Sequence, residues 1–258
     1  EKLANELSKT GKKLHKANKQ LKKLDEAKSE FISIASHQLR TPLTAIKGYG
    51  SMLLEGDFGE VKDEKQRGAI EKMFISNDRL ISLVENLLNI SRIESGRLKF
   101  DLQPMQLEVL VKEICDNLQK AAKEKGLYLN FKTIGKIPTV NADDEKIRQV
   151  VINFIDNAIK YTKEGGITAT VSFVNNKVTC CVQDTGMGVR KEVKSQLFKK
   201  FSRGKGAFLV NTEGTGLGLY VAHMMIDAHQ GGIWVESEGE GKGSKFCFDL
   251  PIGKPNAS

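Results

Sequence analysis

Ser36-His37-Gln38-Leu39-Arg40-Thr41-Pro42-Leu43 lies within an apolar line, Leu39, Ile46 and Leu53, that repeats every seven residues. That is the period of a helix burying one seam. At about 100° per residue, His37 falls about 200° from Leu39, so it points away from this core line and toward solvent. An exposed imidazole can meet a substrate. Pro42 removes one i→i−4 hydrogen bond and is expected to kink the helix one turn after the histidine. Taken alone, a histidine on a polar helix face is usually only solvated, so the neighbouring sequence has to decide.

Toward the N-terminus, residues 1 to 35 fit one heptad frame. Leu3, Thr10, Ala17, Leu24 and Phe31 form one seam position, and Leu7, Leu14, Leu21, Lys28 and Ala35 the other. Interrupted only at Thr10 and Lys28, the repeat predicts a coiled coil, which needs a second helix to cover it. Toward the C-terminus, Glu55-Gly56-Asp57-Phe58-Gly59-Glu60 breaks the helix. A second amphipathic run, from Asp63 to Ser95, carries Ile70, Met73, Phe74, Leu80, Leu83, Val84, Leu87, Leu88 and Ile90, with Gly96 as its C′ stop. Two long helices joined by a short turn predict a hairpin, and two hairpins associate into a four-helix bundle, so a homodimer is expected.

The whole chain is 258 residues with 40% hydrophobic and 28% charged residues, enough for at least one large core and more consistent with two domains. The net charge of +8 is concentrated at the start, where residues 1–28 hold nine lysines against four acids. With no Arg/aromatic interleaving, a nucleic-acid partner is not expected. Cys115, Cys180, Cys181 and Cys247 form no C-x-x-C pair, so neither a disulfide framework nor a thiolate zinc site is expected, and a reducing, cytoplasmic setting is. No apolar run approaches ~18 residues, so no membrane span is expected.

After Gly96 the periodicity shortens and β-branched residues become frequent. Strands are expected at 127–133, 139–142, 166–174, 177–183, 232–237 and 244–250, with a hairpin turn at Asn175-Asn176. Helices are expected at 107–125, 144–162, 190–201 and 216–229. The fold class is therefore multi-domain: a coiled coil and helical hairpin, then an α/β sandwich with helices on one face of a mixed sheet.

Three polar motifs lie in this second part. In the helix Arg148 to Thr162, the i, i+4, i+7 spacing puts Asn153, Asn157 and Lys160 on one face. Two amides and a lysine suit a hydrated divalent cation with phosphate oxygens, since Mg²⁺ keeps waters and takes few protein ligands. A merely polar helix face fits that segment as well. Asp184-Thr185-Gly186-Met187-Gly188 ends a strand, and Gly214-Thr215-Gly216-Leu217-Gly218-Leu219 opens the last helix. Glycines there let backbone amides approach phosphates at a helix N-terminus, and the Asp can accept from an adenine amino group. Neither run is a P-loop or a Rossmann fingerprint. Between them, Phe198, Phe201, Ser202, Arg203, Gly204 and Gly206 read as a mobile lid anchored by aromatic residues.

The order of these motifs is more specific than any one of them. SHQLRTPL, NFIDNAIKYT, DTGMG, LFKKFSR and GTGLGL, with a closing G-x-G-S-x-F-x-F-x-L-P at 241–251, resemble the histidine, N, G1, F and G2 boxes of the sensor histidine kinases of two-component signalling. The resemblance covers about residues 21–251. It implies a coiled-coil linker at 1–28, a dimerisation and phosphotransfer domain at 29–98, a catalytic ATP-binding domain of the gyrase/chaperone/kinase type at 99–252, and a disordered tail at 253–258.

By that likeness His37 is the phosphoacceptor and Asn157 the Mg²⁺ ligand. Asn153 and Lys160 lie near metal and phosphates, Tyr161 near the nucleotide, and Asp184 recognises adenine with Gly186 and Gly188 shaping its edge. Gly214, Thr215, Gly216, Leu217 and Gly218 close over the phosphates. The resemblance further implies ATP as phosphoryl donor, the receiver domain of a response regulator as partner, and an upstream sensor domain outside this sequence, which would make the chain the cytoplasmic part of a receptor.

One departure stands out: the residue after the histidine, usually acidic in the family, is Gln38. An amide oxygen can fix the imidazole tautomer but cannot take its proton, so slower or more pH-dependent autophosphorylation is expected. Thr41 matches the position linked to phosphatase activity. Two other readings are a scaffold that only binds nucleotide and an ATPase that drives a clamp. The second leaves the histidine box without a role.

Overall fold

The computed structural model describes residues 2–200 and 216–252. The lid residues from Phe201 to Gly206, Gly214, Thr215 and the expected tail at 253–258 lie outside the described residues. Two compact units divide at Leu98 and Lys99.

In the first unit, α1 runs from Lys2 to Glu55 and α2 from Glu64 to Glu94. Helix α1 continues through Pro42. It stops where Gly56 adopts φ +89, a left-handed conformation that costs a glycine little. Asp63 caps α2, its carboxylate accepting from the amides of Lys65 and Gln66 at 2.7 and 3.1 Å. Gly96, at φ +65, sits one residue past the Ser95 cap, where the amides of Gly96 and Arg97 satisfy the carbonyls of Ile93 and Arg92.

The contact between α1 and α2 does not run along the Leu39/Ile46 line. Leu39 and Ile46, the expected core line, are 52% and 43% exposed. The seven-residue line that faces α2 is Ser29, Ser36, Leu43 and Gly50: Ser29 and Ser36 are 6% and 1% exposed, Leu43 is half-buried, Gly50 is buried with Phe74 against it, and α2 buries Val84, Leu88 and Ile90. Small residues let the backbones approach, and polar groups fix the register. Asn77 donates to the Leu43 carbonyl at 2.8 Å, Ser91 to that of Ser29 at 3.4 Å, and Lys47 pairs with Asp78. The exposed large apolar residues of α1 are those the heptad assigns to a seam that a further helix covers, as the expected four-helix bundle requires.

The second unit is built on a five-stranded sheet in the order β2-β4-β5-β7-β6: β2 (Tyr128–Ile134), β4 (Gly166–Val174), β5 (Lys177–Asp184), β7 (Ser244–Pro251) and β6 (Ile233–Glu236). The β2–β4 pair is parallel and the others antiparallel. A separate antiparallel pair, β1 (Gln103–Met105) with β3 (Val140–Ala142), was only half legible. Strand β1 is three residues with a central Pro104 and shows no alternation.

Helices α3 (Leu107–Glu124), α4 (Asp144–Tyr161) and α6 (Gly218–Ala228) supply the apolar layer over the sheet. Burial alternates along β5, with Val178, Cys180 and Val182 sealed and Lys177, Thr179 and Cys181 half-buried on the other face. Phe154 of α4 meets Phe246 and Phe248 of β7 at centroid distances of 5.6 and 6.1 Å. The β4–β5 turn places Asn175 and Asn176 at φ 52 and 61, as a tight hairpin requires.

Three expectations need correction here. The 190–201 helix shrinks to α5 (Lys191–Lys194), followed by turns. The last helix begins at Gly218 rather than at 216, because Gly216 holds φ +69, outside helical space. And Cys181 and Cys247 are joined by a disulfide. They are direct cross-strand partners on β5 and β7 with Cα atoms 4.1 Å apart. That is the close spacing of a non-hydrogen-bonded antiparallel pair, and linear cysteine spacing cannot reveal it. Cys115 and Cys180 are free and buried, and burial pushes the Cys115 thiol up to about 11. No helix of the described residues is long and apolar enough to cross a membrane.

Candidate functional site

In the hairpin, His37, Gln38 and Thr41 are all exposed, beside the buried Ser36. The Thr41 hydroxyl donates back to the His37 carbonyl at 3.4 Å, a weak bond that sets its rotamer along the same helix face. The histidine ring therefore stands on an open face. Arg40 lies 3.9 Å from Glu85 of α2.

The second unit brings three of the motifs together. Asp143 caps α4 through the Lys146 amide at 3.1 Å and also accepts from the Asp101 amide at 3.0 Å. Its own N–H donates to His229 Nε2 at 3.0 Å, while His229 Nδ1 bonds the Met225 carbonyl at 2.7 Å. Burial lowers the His229 pKa, partly opposed by the Met225 carbonyl and the Asp143 charge. The start of α4 is thus fixed by a buried imidazole that must stay neutral to accept from Asp143.

Along α4, Asn157 Nδ2 donates to Asn153 Oδ1 at 3.2 Å, which leaves the Asn157 amide oxygen for another partner. Asn153 Nδ2 is buried with no partner among the described residues. Gly218, the first residue of α6, stands so close that a Cβ there would fall 2.7 Å from Asn153 Oδ1. The N-box amides and the N-terminus of α6 therefore share one cradle, and a side chain at Gly218 would close it. Lys160 Nζ lies 5.4 Å over the Tyr161 ring. Leu217 is 2% exposed and seats the start of α6, while Gly216 supplies the turn before it.

At the other end of α4, Asp184 is 6% exposed. Its Oδ1 accepts from the amides of Gly186 at 2.8 Å and Ser244 at 3.3 Å, and its Oδ2 accepts from the Ser244 hydroxyl. Gly186 has no room for a side chain, since a Cβ would fall 2.5 Å from the Tyr161 carbonyl. At Gly188, φ +70 and the Gly239 carbonyl 2.0 Å from a built Cβ exclude one as well.

The sequence reading missed what holds this corner. The β6–β7 turn props the Gly186–Val189 loop: Gly243 and Gly241 donate to the carbonyls of Gly186 and Met187 at 3.0 and 2.7 Å, and Ser237 accepts from Val189 at 3.0 Å. Thr185 accepts from Gly166 and donates to the Glu164 carbonyl, tying the loop to β4. Of this turn, the sequence reading had only Gly241 and Gly243, as the start of the closing 241–251 motif.

The residues present fit a purine nucleotide with a divalent cation. A buried carboxylate offers an acceptor, two amides and a helix N-terminus offer phosphate and cation contacts, and the orphaned Asn153 Nδ2 calls for an acceptor. No cluster of three His, Cys, Asp or Glu side chains occurs among the described residues, so a cation here would rest on amide and phosphate oxygens.

Comparison with known proteins follows the same division. Residues 27–96 match the His Kinase A (phospho-acceptor) domain. Residues 142–254 match the histidine kinase-, DNA gyrase B- and HSP90-like ATPase family. The circadian input-output histidine kinase CikA of Synechococcus elongatus is 34% identical over 228 residues, covering 87% of this chain and 30% of CikA. The chain spans less than half the length of the curated relatives it matches.

Among solved structures, full-length ShkA in complex with AMPPNP is 30% identical with a TM-score of 0.70, over 88% of this chain and 47% of that one. The catalytic domain of histidine kinase ThkA is 31% identical with a TM-score of 0.52, over 58% of this chain and 95% of that one. ThkA in complex with the response regulator protein TrrA aligns over 87% of this chain and 61% of that one, at 26% identity and a TM-score of 0.59.

Proposed function

The chain belongs to the histidine kinases of two-component signalling, and on that premise we propose that it transfers the γ-phosphoryl group of ATP to His37 and then to an aspartate of a response regulator. The observation that carries this reading is the presence in one chain of an exposed histidine on α1 and, in the second unit, of a cradle in which Asn153, Asn157 and the first turn of α6 meet.

A neutral His37 ring nitrogen attacks the γ-phosphorus, the bond from that phosphorus to the ADP oxygen breaks, and the ring loses its N–H proton. Asp184 accepts from the purine amino group and so fixes the base. The amides at the start of α6, with Asn153 and Lys160, hold the phosphates. Asn157 would hold Mg²⁺ through its amide oxygen, and the cation's contribution when bound is to neutralise the charge on the phosphates. Gln38 orients the imidazole as an acceptor, which leaves solvent to take the proton. Thr41 serves the phosphatase step, in which water attacks the aspartyl phosphate of the regulator and releases inorganic phosphate.

The domain assignment follows: a coiled-coil linker at 1–28 carrying the output of an upstream sensor, a dimerising phosphotransfer hairpin at 29–98, and the ATP-binding domain at 99–252. The dimer is supported by the apolar surface that α1 and α2 leave uncovered. The ThkA–TrrA complex supports a receiver domain as partner. Incubation with γ-labelled Mg-ATP, followed by purified receiver domain, tests the reading. Acid-labile, base-stable label lost in His37→Ala is the expected result. Phosphate release with no labelled protein would favour the clamp ATPase instead.

A further inference from the structure

Thr162 follows α4 as its C-cap residue, and its amide donates to the Ala158 carbonyl at 3.1 Å. Its side chain is buried, the residue being 3% exposed, yet Oγ1 has no hydrogen-bond partner among the described residues. Burying an unpaired hydroxyl costs stability, so such groups are rare and call for a partner. This one lies in the corner built by Asp184. A Cβ placed on Gly186 would fall 2.9 Å from Thr162 Oγ1 and 2.8 Å from Asp184 Oδ1, so both oxygens converge on the bare face of that glycine.

The chemistry of the base shows what this corner still needs. An aminopurine edge presents a donor, the 6-amino group, beside an acceptor, the ring nitrogen N1. A carboxylate can serve only the donor. The other donors around Asp184 are already engaged: the amides of Gly186 and Ser244 go to Oδ1, and the Ser244 hydroxyl goes to Oδ2. The Thr162 O–H is the hydroxyl left over.

We infer that Thr162 is a specificity-determining residue whose hydroxyl serves N1 of the base while Asp184 serves the 6-amino group. This rests on the nucleotide reading of Asp184. It adds a second, opposite polarity to the edge, which a carboxylate alone lacks.

The test measures equilibrium binding of ATP and of 1-deaza-ATP, in which a C–H replaces N1, to the full chain and its variants by titration calorimetry. Wild type is expected to prefer ATP by about tenfold, the scale of one buried hydrogen bond. Thr162→Val, which keeps the shape, should bring that ratio near one, and Thr162→Ser should retain it. Because the hydroxyl has no partner among the described residues, nucleotide-free Thr162→Val should melt no lower than wild type, which separates this role from a structural one. Thr162→Ala serves as a second variant should the valine pack poorly.

A wild-type ratio near one, or a wild-type ratio retained in Thr162→Val and Thr162→Ala, overturns the inference while leaving the nucleotide reading intact. No ATP binding by wild type, or undiminished ATP binding by Asp184→Asn, overturns both.

Discussion

The hairpin and the catalytic unit spend their apolar residues in opposite ways. In the catalytic unit Phe154, Phe248, Ile147 and Met225 are each 1% exposed or less, sealed between the helices and one face of the sheet. In the hairpin Phe31 is 72% exposed, Leu24 70%, Leu39 52% and Ile46 43%, and its few buried residues mix Ser29, Ser36, Gly50, Asn77 and Ser91 with Val84, Leu88 and Ile90 of α2. One unit closes its own core and can hold a rigid binding site. The other leaves a row of large apolar side chains exposed, the row that the proposed dimer would cover. A closed core suits the fixed geometry that the proposed nucleotide site needs, and an open helix face suits the proposed transfer through His37.

The largest expected effect strikes the closed core. Phe154→Ala should cost about 3–5 kcal/mol of catalytic-unit stability in urea unfolding, by lost burial and a residual cavity. It should leave the dimer intact. The converse variant, Leu39→Lys with Ile46→Lys, should weaken dimerisation at least about 100-fold in analytical ultracentrifugation, since each side chain is worth about 1.5–3 kcal/mol when buried. Here nucleotide affinity should not change. A dimer that survives the lysines would mean that the seam lies elsewhere.

A subtler contrast concerns pH. His229 has a lowered pKa in the folded state because it is buried, and it accepts from the amide of Asp143 at the start of α4. The unfolded state binds the proton more readily, so this contribution is present above the ordinary imidazole value of about 6.5 and is lost as pH falls through the folded value. Urea midpoints of the catalytic unit should therefore decline from pH 7.5 to pH 5, and His229→Gln should flatten that decline. The hairpin, with no such buried imidazole among its described residues, should not share it. Smallest of all, Gln38→Glu should raise the rate of label incorporation several-fold and shift its pH profile. An unchanged rate and profile would remove Gln38 from the mechanism.

Much of this architecture was legible in the sequence because its signals are local. The heptads, the Gly96 stop and the Asn175-Asn176 turn each specify their own element. What stayed hidden was pairing across distance. Strand β1 is too short to show a period. The Cys181–Cys247 bond joins residues 66 apart in sequence but directly opposite in register. The same holds at the site. The i, i+4, i+7 face of α4 was readable, whereas Ser237, Ser244 and Thr162 act only through the β6–β7 turn and the end of α4 meeting at Asp184. Leu39 and Ile46 are exposed within the chain, because an apolar period says that a face is covered and says nothing about which chain covers it.

The account stands most directly on where phosphate goes. After incubation of the full chain with Mg-ATP, neutral-pH peptide mapping by mass spectrometry should find one phosphoryl group on the peptide containing His37. His37→Gln should abolish it while ATP binding by titration calorimetry is retained. Phosphate on another residue, or full incorporation in His37→Gln, would contradict the account.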